Sequence, residues 1–167
     1  LNITPDSFSD GGDNLALSKA IKTAENMSRN GSDFIDIGGE STRPGAEKVN
    51  VRDEIIRVLP IIQYLEKNRI KISLDTRNSS TMKLGLLSGA SIINDVSALT
   101  NDSDSVEIIQ EFKPPIILMH MPGNPKSMMN NTNYKNVVLD IFDYLNERIQ
   151  FCESRGIKKE NIIVDPG

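Results

Sequence analysis

Short apolar runs alternate with longer amphipathic stretches along the chain. The runs Phe34-Ile35-Asp36-Ile37, Ile70-Lys71-Ile72-Ser73-Leu74, Ser91-Ile92-Ile93, Ile116-Ile117-Leu118-Met119 and Ile162-Ile163-Val164 are brief and rich in β-branched residues, the pattern of buried parallel strands. Leu1 to Ile3 reads as the end of a further strand. Between the runs, apolar residues recur every three or four positions. Leu17, Ala20, Ile21, Ala24 and Met27 form one stripe, with Asn14 placed as its cap and Gly31 just past its end. Val51, Ile55, Val58, Ile62 and Leu65 form a second, with Pro60 expected to kink or break it. Ser79 or Ser80 is placed to cap a short helix through Leu87, and Asp102 or Ser103 one over Val106 to Phe112. Val138, Ile141, Leu145, Ile149 and Cys152 stripe a fifth.

Strands alternating with helices imply βαβ units and a parallel sheet. A doubly wound sheet and a (β/α)8 TIM barrel both fit about six strands and five helices. A complete barrel typically takes about 250 residues, so this α/β chain of 167 residues would hold part of one. No linker, repeat or charge block divides the chain, and residues 1–167 read as one domain. The opening on Leu1 without Met, and the close just past an apolar run, suggest a fragment.

Polar residues follow the apolar runs with regularity. Asn2, Asp36 with Gly38-Gly39-Glu40, Asp75, Asn94, His120 and Asp165 lie in or just after successive runs. In parallel α/β folds the C-terminal ends of the strands form the rim where ligands bind. Amides and carboxylates there suit the ring N–H and N groups of a flat, nitrogen-rich heterocycle, or a developing positive charge. Ser41-Thr42-Arg43-Pro44-Gly45 offers hydroxyls and a guanidinium to a phosphate. Asn2 and loop oxygens could ligate a hard cation such as Mg²⁺. His120 reads as either a rim contact or a structural group, Cys152 as core, and Glu40 and Asp95 as either ligands or caps. Asp36 is placed below the rim in a hydrogen-bonded position.

Composition narrows the chemistry. The net charge of −4 from 19 Lys+Arg and 23 Asp+Glu argues against a nucleic-acid or anionic-membrane surface. No run approaches the roughly 20 residues that cross a bilayer, and no basic, apolar leader opens the chain. One Cys excludes an intrachain disulfide and fits a reducing cytoplasm. One His excludes a His-rich zinc site within the chain. No P-loop, GxGxxG or GxSxG motif occurs, and no Lys ends a strand to serve as a Schiff-base nucleophile.

Two segments carry a specific resemblance. Leu1-Asn2-Ile3-Thr4-Pro5-Asp6-Ser7-Phe8-Ser9-Asp10-Gly11-Gly12 and Asp36-Ile37-Gly38-Gly39-Glu40-Ser41-Thr42-Arg43-Pro44-Gly45 resemble the two signatures of the dihydropteroate synthase family. Ser73-Leu74-Asp75-Thr76-Arg77, Ile93-Asn94-Asp95-Val96-Ser97, Met119-His120-Met121 and Val164-Asp165-Pro166-Gly167 match in order, so the resemblance spans the whole chain. It implies a TIM-barrel transferase of folate synthesis and a sulfonamide target. Such an enzyme condenses (7,8-dihydropterin-6-yl)methyl diphosphate with 4-aminobenzoate, releasing diphosphate, with Mg²⁺ assisting, and forms a homodimer.

The resemblance also implies roles. Asn2 would ligate the magnesium and Thr42 contact the diphosphate. Asp75, Asn94 and Asp165 would hold the pterin, with Met119 packing near it. Phe8, Arg43 and Pro44 would contact the aminobenzoate. Asp10 and Arg43 would order the loops around it, and with Asp75 make up the catalytic set. A Lys, and an Arg followed by His, are expected on later strands that this chain does not reach. The chain alone is therefore expected to be poorly folded and nearly inactive. A pterin-binding methyltransferase domain would share the barrel and the strand-end Asp and Asn residues. The residue 4–12 and 40–47 loops favour the synthase.

Overall fold

A computed structural model describes residues 1–3, 13–41, 48–123 and 133–167, and beyond the main chain nothing is described for residues 13–16. Five four-residue strands, β1 (Ile35–Gly38), β2 (Ile72–Asp75), β3 (Ile92–Asp95), β4 (Ile116–Met119) and β5 (Ile162–Asp165), alternate with helices. Helix α1 (Asp13–Arg29) precedes β1, and α2 (Val51–Lys67), α3 (Ser79–Leu87), α4 (Ser105–Phe112) and α5 (Val137–Ser154) follow the first four strands. All neighbours are parallel, in the order β1-β2-β3-β4-β5. Residues 1–3 add a further stave: Asn2 bridges Gly38, Ile3 N donates to Gly38 O (2.8 Å) and Gly38 N to Leu1 O (3.2 Å). A doubly wound sheet reverses its strand order at a switch point. Here spatial order follows sequence order throughout, so the sheet is an arc of a (β/α)8 barrel with about six staves.

Side chains alternate between the two faces of each strand. The outer face is apolar: Ile35, Ile37, Ile72, Leu74, Ile93, Ile116 and Leu118 are fully buried. Against them pack Val58, Ile61, Ile62 and Leu65 of α2, Met82 of α3 and Ile109 of α4. Each such side chain contributes about 1.5–3 kcal/mol on burial. Gly85 lets α3 approach closely, since a Cβ there would lie 2.2 Å from Leu74 Cδ2.

Gly31 ends α1 as expected, at φ 97° with its N on Ser28 O and Ser32 N on Met27 O, but the helix starts depart from the expected caps. Asn14 falls within α1 and does not precede it. Pro60 does not break α2, which runs on to Lys67. The carbonyl left without a donor is that of Ile56, and both residues lie on the exposed face, where water can satisfy it. The residue preceding α3 is Asn78, and that preceding α4 is Asp104. Neither side chain bonds its own helix. Asp102 instead caps the neighbouring helix, accepting from Ser79 N (2.8 Å). Burial opposes ionisation of Asp102, but the bonds from Ser79 and Asp104 outweigh it and hold the carboxyl below its ordinary range. Among the described residues no helix is long and apolar enough to cross a membrane.

Candidate functional site

The inner face of the arc is polar where the outer is apolar. Strand pairing aligns Asn2 with Gly38, Gly38 with Asp75, and Asp75 with Asn94. These four positions form one row at the C-terminal ends of adjacent staves. One layer below, Asp36 aligns with Ser73. One layer above, Met119 aligns with Asp165. The sequence-predicted residues Asn2, Asp75, Asn94, Met119 and Asp165 thus share one face and one rim. Gly38 leaves the row open between Asn2 and Asp75, and a Cβ there would lie 3.1 Å from Asp75 Oδ2.

Asp36 is braced as expected. Its Oδ1 accepts from Ser73 Oγ at 2.5 Å and, more weakly, from Asn94 Nδ2 at 3.4 Å. The Asp75 side chain has no hydrogen-bond partner among the described residues. Burial first, then the nearby carboxylates of Asp36, Asp95 and Glu54, push its carboxyl up to about 7. An unpaired carboxyl at the rim, poised near neutrality, can accept from ring N–H donors or face a cation. Asp165 Oδ1 accepts from Gly167 N (2.9 Å), which leaves its second oxygen for the rim.

Several polar residues near the rim point away from it. Asp95 is fully buried on the outer face, where it accepts from Ser97 N (2.8 Å), Ser97 Oγ (2.6 Å) and Leu99 N (3.0 Å). Burial pushes its carboxyl up against those bonds. It holds a turn in which Ala98 and Leu99 take positive φ, and Arg148 Nε donates to Ala98 O (2.9 Å). Glu40 pairs with Arg77 at 2.9 Å, with only 7% and 12% of the two side chains exposed, and accepts from Val49 N (3.0 Å). These bonds tie both residues into the loops that follow their strands. His120 is buried too: its ring lies edge-on to Tyr144 (5.0 Å between centroids) and tilted to Tyr134 (5.9 Å), and its N donates to Asp165 O. Cys152 lies in the core.

Glu54 was missed by sequence reasoning. It is 1% exposed and accepts three side-chain bonds, from Thr76 Oγ1, Asn78 Nδ2 and Thr81 Oγ1. A signal existed, because Glu54 lies three positions after Val51 and four before Val58, within the apolar stripe of α2. Phe8, Asp10, Thr42, Arg43 and Pro44 lie outside the described residues. Among the described residues no group of three or more His, Cys, Asp or Glu could hold a metal ion. The cation-binding donor foreseen from sequence is the exposed amide of Asn2.

The model of a family described as pterin binding enzyme matches residues 1–167. A dihydropteroate synthase of Synechocystis sp. is 42% identical over 168 residues, covering all of this chain and 58% of that protein. The chain thus spans little more than half the length of that relative. Among solved structures, a Yersinia pestis dihydropteroate synthase in a sulfonamide drug complex superposes with a TM-score of 0.91 at 38% identity. It is covered over 61% of its length by all of this chain. A Xanthomonas albilineans dihydropteroate synthase with 4-aminobenzoic acid gives a TM-score of 0.89 at 39% identity, with 99% of this chain and 59% of that one aligned.

Proposed function

Because the chain belongs to the pterin-binding enzyme family, we propose that the whole protein carrying it is a dihydropteroate synthase. It would join (7,8-dihydropterin-6-yl)methyl diphosphate to 4-aminobenzoate, giving 7,8-dihydropteroate and diphosphate. The observation that carries this reading is the row of Asn2, Gly38, Asp75 and Asn94, in which the Asp75 carboxyl has no hydrogen-bond partner among the described residues.

The chemistry follows from that row. The edge of a pterin ring presents adjacent N–H donors, which Asp75 accepts, while the amide of Asn94 can meet both donors and acceptors. Asp165 supplies a further acceptor and Met119 an apolar flank. As the bond from methylene carbon to diphosphate oxygen breaks, positive charge spreads into the ring, and ionised Asp75 opposes it directly. The diphosphate leaves with the bonding pair. The arylamine nitrogen then forms the new bond to the methylene carbon and loses a proton. A neutral amine attacking a cation requires no protein nucleophile.

The donor set suits magnesium. A hard cation held largely by diphosphate oxygens and water needs few protein ligands, and the exposed Asn2 oxygen is one. When bound, the ion would offset the charge of the departing diphosphate. Thr42 is assigned to the diphosphate, and Phe8, Arg43 and Pro44 to the aminobenzoate, with Asp10 and Arg43 as ordering residues.

The test is turnover. The whole protein is incubated with the pterin diphosphate, 4-aminobenzoate and Mg²⁺, and 7,8-dihydropteroate and diphosphate are quantified by chromatography. Formation of both in equal amounts is expected. Affinity for methyltetrahydrofolate with none for the pterin diphosphate would overturn the reading in favour of a methyltransferase domain.

A further inference from the structure

Asp75 has no side-chain hydrogen bond among the described residues, so the place of its carboxyl depends on how the end of β2 is held. Glu54 holds that end from a different element. It reaches from the first turn of α2 beneath the end of β1, where a Cβ on Gly39 would lie 2.9 Å from Glu54 Cγ. Its Oε1 accepts from Thr76 Oγ1 at 2.7 Å. Its Oε2 accepts from Asn78 Nδ2 at 2.8 Å and Thr81 Oγ1 at 2.6 Å. Thr76 is held on two further sides: its hydroxyl accepts from Asn78 N (3.2 Å) and its N donates to Asn94 O (3.1 Å). Glu54, Asp75 and Thr76 line the same small cleft, together with Glu40, Arg77 and Val96.

A role confined to holding the start of α3 would account for the bonds to Asn78 and Thr81. The bond to Thr76 reaches further: the Thr76 hydroxyl also holds Asn78 N at the helix start, but Thr76 directly follows Asp75 and its own N is tied to Asn94 O on the neighbouring strand, so the same bond fixes the end of β2. We propose that Glu54 and Thr76 are positioning residues: their hydrogen bond aims the Asp75 carboxyl at the bound pterin ring and so sets affinity for the pterin substrate. This inference rests on the function proposed above. Glu54 and Thr76 are buried, at 1% and 4% exposed, so in this proposal both act through Asp75.

The experiment is calorimetric titration of (7,8-dihydropterin-6-yl)methyl diphosphate with Mg²⁺ into the whole protein and its variants, alongside thermal melting. T76V removes the hydroxyl at nearly constant shape and is expected to weaken binding about tenfold. T76S restores the hydroxyl and is expected to bind within about twofold of the unaltered protein. T81V deletes a bond to the other oxygen of the same Glu54 carboxylate, from a residue within α3 that does not adjoin Asp75 in the chain. It is expected to lower Tm about as much as T76V while leaving affinity within about twofold. Equal affinity in T76V and the unaltered protein, or equal weakening in T76V and T81V, would overturn the inference. If T76V does not fold, E54Q decides: weakened binding supports the inference and unchanged binding overturns it. Failure of the unaltered protein to bind the pterin diphosphate would overturn the proposed function, and this inference with it.

Discussion

In the proposed function, ligand binding and stability pull Asp75 in opposite directions. Its carboxyl titrates at about 7 in the fold, against 3.8 for the free side chain. Between those values the folded state keeps a proton that the unfolded state has lost. Stability therefore falls as pH rises from about 4 to about 7, then levels. The gap of about three pH units corresponds to as much as about 4 kcal/mol. D75N removes the titration, so it should be more stable than the unaltered protein at pH 8, with the advantage vanishing near pH 4. Urea unfolding at both values measures this, and a less stable D75N at pH 8 would sink it. Pterin affinity should move the other way, because ring donors bind the ionised carboxyl. Calorimetry should find binding weakening as pH drops below 7, and D75N should bind at least about tenfold more weakly, with that pH dependence gone. At this scale the sequence was only partly legible. Asn94 and Asp95 are adjacent and polar, yet one faces the rim and the other is buried behind it, because strand register decides the face. Composition alone could not separate them.

At the scale of elements, the strands were legible, as was the end of α1 at Gly31, and the helix starts were not. Each apolar run became a strand within two residues of its expected bounds, because a parallel strand covered by helices has to be apolar on that face. Caps failed because the polar side chains near helix starts serve other elements. Asn78 is drawn to Glu54, and Asp102 caps α3 and not the helix that follows it. The Glu40–Arg77 pair is of this kind too, joining the segment after β1 to the segment after β2. It is nearly buried, so its two charges depend on each other. Removing one partner should be costly, whereas removing both should be far less so. R77M is expected to lower unfolding free energy by about 3 kcal/mol, and the E40Q/R77M double variant to recover at least about half of that loss. Equal losses in the single and double variants, read from urea midpoints, would show that the pair contributes only packing.

For the whole molecule, the alternation of strand and helix left two architectures open, and the monotonic strand order chose the barrel. That order is invisible in sequence, because both architectures are built from the same βαβ unit. The arc has a consequence for the 167-residue chain in isolation. Among the described residues β5 pairs only with β4, and its Ile163 and Val164 are 47% and 45% exposed on opposite faces. Nearby in sequence, α5 exposes Val138 at 72% and Phe142 at 63%. An unpaired parallel edge beside apolar surface is a template for association. This chain alone is therefore expected to bind a hydrophobic dye and to self-associate at micromolar concentration, without detectable turnover. V164K places a charge on the open strand and should shift sedimentation toward monomer without restoring turnover. The surface it blunts is not the rim, and the rim is still only the part of the site that Asn2, Asp75, Asn94, Met119 and Asp165 build. A monodisperse chain that binds no dye would mean that the open strand is protected in a way its exposure does not reveal. Full turnover from these residues would place every group the reaction needs within this arc.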